Sequence, residues 1–147
     1  MRLLWEINHG FDSASKRMAK TVGVTGPQRL VVRMIGRFPG ITAGQLAQIL
    51  HSDPSTLTGV LRRLELRHLI VRGKDAGDGR RSRFRLSRRG THINRLRART
   101  IEASVERALE RLPASDTACA ARLLERLADE LSRTAAGPAL TRPSRRR

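Results

Sequence analysis

Two neighbouring segments between residues 53 and 90 carry side chains whose types and spacing suit binding to a polyanion. In the first, small, hydroxyl and guanidinium residues recur at i, i+3, i+4 and i+7, which places them on one face of a predicted helix at about 53–67. This face consists of Ser55, Thr58, Gly59 and Arg62, with Thr56 and Arg63 at its margins. Because the face has no carboxylate beyond the cap, its chemistry is hydrogen bonding and neutralisation of negative charge.

The second segment is a predicted hairpin rich in arginine. In its second strand Arg83 and Arg85 alternate with Phe84 and Leu86, so the arginines face one side of the ribbon and the apolar residues face the other. The strands are residues 69–72 and 82–86, and the glycine-containing connection between them carries Lys74, Arg80 and Arg81. A ribbon with one apolar face and a basic tip, placed directly after a polar-faced helix, is typical of the wing of a winged helix-turn-helix.

Helix caps predict the elements that position this face. Thr and Gln stand three residues apart at 25–28 and again at 42–45, which is the spacing of a capping box. Asp53 before Pro54 has the pattern of an N-cap residue followed by a proline in the first turn of a helix. A short helix therefore meets the face-bearing helix across a tight turn, with the spacing of a helix-turn-helix.

Apolar residues at helical spacing predict the buried side of these helices. On the face-bearing helix they are Leu57, Val60, Leu61 and Leu64, and on the short helix before it they are Leu46, Ile49 and Leu50. The fold class predicted is mainly α with a small β-wing.

Amphipathic helices flank the predicted winged domain on both sides. Residues 3–21 form the first, residues 88–112 are predicted as one long helix, and Ser115-Asp116 caps a last helix through about 133. Their apolar stripes exceed what a winged domain of about 60 residues can cover, so we expect burial against a second copy in a two-fold homodimer. The predicted domains are an N-terminal dimerisation helix at 1–26, the winged helix-turn-helix at 27–90, C-terminal dimerisation helices at 91–134 and a basic flexible tail at 135–147.

Charge supports a nucleic-acid partner. The chain has 147 residues and a formal charge of +17, and all but three of its 30 basic residues are arginine. A field of this sign favours a polyanion. A GC-rich genome also enriches arginine, but it does not explain why 11 basic residues fall between 52 and 90 against four acidic ones.

Several other classes of function are not expected. Cys119 is the only cysteine, which predicts a reducing, cytoplasmic location without an intrachain disulfide. No apolar run suits a membrane span, and the N-terminus lacks the apolar core of a signal peptide, so we expect neither membrane insertion nor export. The four histidines have no paired spacing, so no metal or other cofactor is predicted. Without a phosphate loop, nucleophile–base pair or carboxylate dyad, we expect no enzyme.

On these residues the chain resembles the MarR (multiple-antibiotic-resistance regulator) family of bacterial transcription factors, over about residues 3–133. The strongest part is Ser55–Glu65 followed by Leu69–Arg72. Two positions depart from the family: Ser87 replaces the usual Thr, and His68 replaces the usual Gly, although His also adopts the left-handed conformation of a helix C-cap. The family's wing pattern, Asp-any-Arg and later Leu-Thr before Gly, is met by Asp78, Arg80, Leu86, Ser87 and Gly90.

The resemblance implies a homodimer on a pseudo-palindromic operator of double-stranded DNA, usually as a repressor. Each recognition helix would enter a major groove and each wing the flanking minor groove. Asp78 would orient neighbouring arginines, because a carboxylate repels phosphate. The predicted DNA-binding residues are Ser55, Thr56, Thr58, Gly59, Arg62, Arg63, Lys74, Arg80, Arg81 and Arg83.

The resemblance also implies a small aromatic or anionic effector, bound between the dimer helices and the DNA-binding part. An aromatic ring, a histidine and an arginine together suit an anionic ring compound. The predicted ligand residues are Trp5, His9, Met34, Arg37 and Phe38, which are otherwise ordinary core and surface residues.

Two alternative functions remain open at the level of sequence. One is an architectural DNA- or RNA-binding protein that uses its arginines without reading sequence, although three Phe and one Trp offer few platforms for base stacking. The other is a redox or small-molecule sensor that uses Cys119. This cysteine lies among alanines on a predicted dimer helix, where a small buried residue is the ordinary role.

Overall fold

Within residues 1–74 and 81–136, which the computed structural model describes, the chain forms seven α-helices and three short β-strands. The helices are α1 (Arg2–Thr21), α2 (Gly26–Arg37), α3 (Ala43–Leu50), α4 (Pro54–Leu66), α5 (Arg88–Arg95), α6 (Ile101–Leu109) and α7 (Ala114–Ala136). The strands are β1 (Ile41–Thr42), β2 (Ile70–Lys74) and β3 (Ser82–Leu86). The chain divides into two compact units, one from Met1 to Val105 and the other from Glu106 onward. The mainly α fold with a small β-wing is confirmed.

The predicted caps before α2, α3 and α4 are confirmed. Thr25 and Gln28 form a reciprocal capping box at the start of α2, and Thr42 and Gln45 form another at the start of α3. Asp53 caps α4. Because each cap joins residues no more than three positions apart, these helix starts follow from local sequence alone.

The three strands form an antiparallel sheet in the order β1-β3-β2. Phe84 of β3 pairs with Ile41 of β1, a strand that sequence reasoning missed because two residues carry no recognisable alternation. The alternation predicted for β3 is confirmed, since Phe84 is buried and Leu86 half-buried whereas Arg83 and Arg85 are exposed. The sheet thus covers the core with one face and presents arginines on the other.

The core of the first unit is built from α2, α3, α4 and the sheet. All four apolar residues predicted to lie inside on α4 are buried. The prediction that Ile49 lies inside is wrong: Leu46 is fully buried, but Ile49 is 45% exposed. A helix of eight residues presents a narrow buried stripe, and Ile49 instead lines a surface groove beside Phe38.

The single long helix predicted over 88–112 is wrong. α5 ends at Arg95 and α6 begins at Ile101, with a turn between them. The reason lies in α2, where Arg29 is buried and its guanidinium donates hydrogen bonds to the carbonyl oxygens of Ile93 and Leu96. The Ile93 carbonyl also accepts from the Leu96 backbone N–H at 3.2 Å, so both carbonyls have partners without a continuing helix.

The chain restarts as a helix through a second cap. The Thr100 hydroxyl accepts from the backbone N–H of Ala103 at 3.2 Å, and Arg99 before it takes a left-handed φ of 60°. Glu102 lies in the first turn of α6, where a carboxylate complements the helix dipole. Thr100 followed by Glu102 is a helix-start signal that sequence reasoning overlooked inside an apolar pattern.

The last helix begins earlier than predicted. α7 starts at Ala114, so Ser115 and Asp116 lie in its first turn instead of capping it. Three leucines of α7, at 123, 124 and 131, are exposed in the second unit taken by itself.

The junction between the wing and α5 is closely packed. The Ser87 hydroxyl accepts from the backbone N–H of Gly90 at 3.0 Å and donates to the carbonyl oxygen of His68 at 2.6 Å. His68 adopts the left-handed conformation expected of it, with φ of 54°. A Cβ added to Gly90 would overlap the carbonyl oxygen of Leu69, so only glycine fits at this point of α5.

Gly90→Ala should therefore lower the free energy of unfolding by about 1–3 kcal/mol, because the added methyl group forces α5 away from the backbone of Leu69. Urea denaturation measures the change. Gly44→Ala in α3 is the matched control, since nothing lies within 4 Å of the added Cβ and a helical alanine is favoured over glycine. Wild-type stability in Gly90→Ala would contradict the close approach.

Arg29→Met should cost about 3–5 kcal/mol of stability, since it leaves two carbonyl oxygens and the Glu102 carboxylate without their cation. Arg33→Met is the control: its Nε lies 3.8 Å from the same carboxylate, but its side chain is 32% exposed, so we expect a loss below about 1 kcal/mol. If thermal melts showed equal losses of stability in the two variants, the buried contacts of Arg29 would contribute no more than the exposed contact of Arg33.

Candidate nucleic-acid interface

α4 presents the polar face that its sequence predicts. Gly59 is half-buried, and a Cβ there would meet only the Arg63 guanidinium at 3.5 Å, so the fold of the single chain does not itself require glycine. The Thr58 hydroxyl donates to the Pro54 carbonyl oxygen at 2.7 Å, which leaves its oxygen as an outward-facing acceptor. The exposed residues of this face are Ser55, Thr56, Thr58, Arg62 and Arg63.

Asp53 fixes the first turn of this face. Its Oδ1 accepts from the Ser55 hydroxyl at 2.5 Å, from the Ser55 backbone N–H at 2.8 Å and from the Thr56 backbone N–H at 3.1 Å. The Ser55 hydroxyl, followed by the backbone N–H groups of Thr56 and Ser55, lowers the pKa of Asp53 below its ordinary value. The cap therefore remains an anion at neutral pH and holds both side chains at the start of α4.

A groove of about 790 Å³ brings α4 together with α3 and the wing. Thr58 and Arg62 line it from α4, and Arg81 lines it from the residue before β3. The predicted helix face and the predicted wing therefore share one concave surface. Glu65 also lines the groove, so its charge is mixed at the end of α4 that is farther from the cap.

The structure describes some of the predicted wing residues and not others. Lys74 lies exposed at the end of β2, a strand that continues two residues beyond its predicted end. Arg83 is exposed on β3, and its Nη1 donates to the Gly40 carbonyl oxygen at 3.3 Å. Arg80 and Asp78 lie outside the described residues.

The groove residues that the sequence did not identify as site residues include Gln45, Gln48 and Arg72. The Nε of Arg72 donates to the Ser82 hydroxyl at 2.6 Å, which joins the two wing strands at the rim of the groove. Gln48 follows Gln45 by three residues on the polar side of α3, and this spacing is the one local signal that could have identified it. No pattern in sequence links either glutamine to the wing, which follows more than 20 residues later.

The predicted ligand residues are distributed over separate places. Arg37 and Phe38 lie together, with the guanidinium carbon 5.7 Å from the ring centroid, and line a groove of about 530 Å³. Trp5 and His9 are exposed on α1, and Met34 packs partly buried against the core. The residues lining the Arg37 groove do not include these three.

The structure also bears on the cysteine, the candidate metal ligands and the membrane spans considered in the sequence. Cys119 is exposed on α7. Among the described residues, no three His, Cys, Asp or Glu side chains are grouped as metal ligands. In residues 1–74 and 81–136, none of the helices combines the length and apolar character that crossing a bilayer needs.

Comparison with known proteins agrees with this geometry. A family model described as MarR family matches residues 22–81. The HTH-type transcriptional repressor Rv2887 of Mycobacterium tuberculosis (strain ATCC 25618 / H37Rv) is 28% identical over 109 residues, which are 74% of this chain and 78% of that protein. The solved structure of the transcriptional regulator SlyA has a TM-score of 0.77 at 25% identity and covers 90% of this chain and 94% of its own. Over residues 22–81 the chain is therefore similar to the MarR family.

A third relative adds a ligand-bound case. The MarR-like fold of this chain superposes on the PcaV transcriptional regulator from Streptomyces coelicolor, solved in complex with its natural ligand, with a TM-score of 0.74 and 28% identity. The match covers 86% of this chain and 89% of that one. The segment that the family model matches includes α3, α4 and β2, which supply most of the residues that line the groove.

Asp53→Asn should melt below the wild type at neutral pH, and the difference should shrink in acid. Because the pKa of Asp53 is lowered by folding, its ionised cap stabilises the protein above about pH 4 and loses this effect as the pH falls through the lowered pKa. Thermal melts of both proteins between about pH 7 and pH 3 measure the difference. A difference that is constant over this range would contradict a role for the charge on Asp53.

Proposed function

We propose that this protein is a transcriptional regulator of the MarR family, a sequence-specific repressor that binds a pseudo-palindromic operator in double-stranded DNA as a homodimer. The observation that carries the proposal is the groove in which Thr58 and Arg62 of α4 and Arg81 beside the wing share one surface. An α-helix of this kind fits a major groove with its outward side chains against base edges.

The side chains of α4 divide between base edges and phosphates by position. Arg62 lies within the groove beside Thr58, so we assign it a contact to a base edge, where a guanidinium pairs with guanine O6 and N7. Arg63 is exposed but is not among the groove-lining residues, which suits a phosphate. Ser55 and Thr56, held at the first turn by Asp53, suit the DNA backbone near the helix N-terminus.

The wing and α3 complete the proposed surface. Lys74, Arg81 and Arg83 would neutralise phosphates or enter the minor groove, and the predicted tip residue Arg80 would extend this contact. Gln48 of α3 lines the same groove, where a glutamine amide can bridge to a phosphate or to an adenine edge. Since neutralised phosphates release counterions, we expect affinity to fall steeply with salt.

The homodimer is supported by apolar surface on two helices, each considered by itself. On α1 the exposed large apolar residues are Leu3, Trp5, Ile7 and Phe11, and on α7 they are Leu123, Leu124 and Leu131. Monomeric proteins rarely expose contiguous patches of this kind. We assign these faces to a second copy, which would place two α4 helices on successive half-sites.

Relief of repression by a small molecule forms part of the proposal. It is supported by the ligand-bound state of PcaV and by cavities in the first unit of this chain. The sequence-based ligand residues Trp5, His9, Met34, Arg37 and Phe38 stay predictions, of which Arg37 and Phe38 share a groove.

Arg62→Ala should weaken binding to a selected operator by about tenfold or more at fixed salt, near the ~1–3 kcal/mol of a good base contact. The operator is first selected from fragments of the source genome, and footprinting should then show two protected halves related by two-fold symmetry. Titration of labelled duplex by fluorescence anisotropy measures the affinity.

Arg17→Ala on α1 is the matched control, since it removes the same charge from an exposed position that does not line the groove. It should change affinity much less than Arg62→Ala does. An equal loss on operator and random duplex would make Arg62 a phosphate contact. Random duplex that competes as well as the operator would overturn sequence specificity and favour an architectural role.

A further inference from the structure

A second basic surface of the first unit lies on α5. Residues 79–101, which include β3 and the whole of α5, contain nine arginines and no acidic residue. None of the residues of α5 lines the groove between α3, α4 and the wing. The exposed basic residues of this helix, which we call the α5 basic face, are Arg88, Arg89, His92 and Arg95.

The α5 basic face differs from an ordinary solvated helix face, which carries charges of both signs. α1 and α7 follow the ordinary pattern, since Arg2 pairs with Glu6 at 2.7 Å on α1 and Arg133 pairs with Glu130 on α7. By contrast, the arginines of the α5 basic face form no ion pair or side-chain hydrogen bond within the part of the chain that the structure describes. The fold of the single chain therefore leaves their charge uncompensated.

Two of these arginines also oppose the dipole of their own helix. Arg88 and Arg89 lie in the first turn of α5, where the positive end of a helix dipole favours anions and disfavours cations. This turn contains no acidic residue, and its cap is the neutral hydroxyl of Ser87. Local helix stability therefore does not account for the two arginines, whereas an anion bound from outside would be attracted by their guanidinium groups and by the dipole together.

The phosphate backbone of DNA is the anion that this surface fits, because β3 leads from the groove to α5. Arg81 lines the groove just before β3, and Arg83 and Arg85 are exposed along the strand. From Arg81 to Arg95 the chain extends by roughly 30 Å at the rise of a strand and a helix. This is the length of about nine base pairs of duplex. DNA that continues beyond the wing therefore has cations available over a further part of its length.

We propose that the α5 basic face binds phosphates of the DNA that flanks the operator, beyond the contact of the wing. Each phosphate that an arginine neutralises releases counterions, so this contact adds affinity without reading sequence. The inference rests on the proposed function, because the groove must first hold the operator. It assigns DNA contacts to a helix that the sequence predicts only as a dimerisation element.

The test compares two duplexes, one that ends at the operator and one that continues on each side by about nine arbitrary base pairs, the length of the basic surface. Fluorescence anisotropy measures the affinity of the full chain for each duplex at several salt concentrations. The longer duplex should bind about tenfold tighter, and its plot of log K against log salt should be steeper by about 0.9 for each added phosphate contact. Equal affinities and equal slopes for the two duplexes would overturn the proposal.

A triple variant locates the contact on α5. Arg88→Gln, Arg89→Gln and Arg95→Gln together should remove the advantage of the longer duplex and leave affinity for the short duplex within about twofold of the wild type. Glutamine relieves two cations in the first turn, which offsets the loss of Arg95 at the end of the helix, so the variant should melt close to the wild type. A similar loss of affinity on both duplexes would refute the assignment to flanking DNA.

The matched control removes three positive charges from exposed positions of α1 through Lys16→Gln, Arg17→Gln and Lys20→Gln. It lowers the net charge of the chain by the same amount, but none of its positions lies on α5 or lines the groove. The control should therefore keep the advantage of the longer duplex. If it lost this advantage as fully as the α5 variant, the field of the whole protein would be responsible and the proposal would fail.

A further measurement determines which DNA molecule occupies the α5 basic face. Protein saturated with the short operator is mixed with a labelled random duplex, and the stoichiometry of the complex is measured by sedimentation. We expect no second duplex in the complex. Capture of a second duplex that the α5 variant loses would mean that the face bridges two DNA molecules, which contradicts a contact to the flanks of the operator.

Comparison of operator with random duplex of the same length separates this inference from the proposed function. Preference for the operator without any gain from the flanks would reject the inference and keep the repressor. A gain from longer DNA that the α5 variant removes on operator and random duplex alike, without preference for the operator, would reject the sequence-specific repressor and keep the surface.

Discussion

The buried guanidinium of Arg29 is the interaction on which the arrangement of the first unit depends. From α2, the helix that packs against α4, it reaches the Ile93 carbonyl in the last turn of α5, the Leu96 carbonyl just after that helix and Glu102 in the first turn of α6. A buried arginine is stable only when its donors are satisfied, and here two backbone carbonyls and a carboxylate satisfy them. The same contacts end α5, set where α6 starts and place Glu102 at the wall of a cavity. One side chain of α2 thus contacts both α5 and α6.

The groove depends on the two-faced character of α4. Four apolar residues anchor the helix in the core, so its hydroxyl and arginine residues must point outward, and the Asp53 cap sets the start of that face. α3 and the wing add walls to the same surface, although α3 was selected from the sequence only as a packing element. Because α3 and the wing line the groove together with α4, Gln48 and Arg72 belong to the candidate interface.

The groove and the cavity differ in their charged residues. The groove carries Arg62, Arg72 and Arg81 and suits an anionic polymer, whereas the cavity at α1 and α2 holds two carboxylates beside an arginine that is already satisfied. The net charge of the whole chain is +17, so the two carboxylates at this cavity run against the overall charge of the protein.

The sequence by itself determined the features that depend on near neighbours. Caps joining residues three apart fixed the starts of α2, α3 and α4, the period of two fixed which side of β3 is buried, and the spacing of hydroxyl and arginine residues gave the outward face of α4. The tertiary structure decided what depends on residues distant in the chain. The break between α5 and α6 follows from Arg29, more than 60 residues earlier. The exposure of Ile49, the walls of the groove and the position and charge of the cavity likewise arise only when separate helices meet. Local hydrogen bonds are encoded in short patterns, whereas a side chain that satisfies another element's backbone leaves no periodic trace in the sequence.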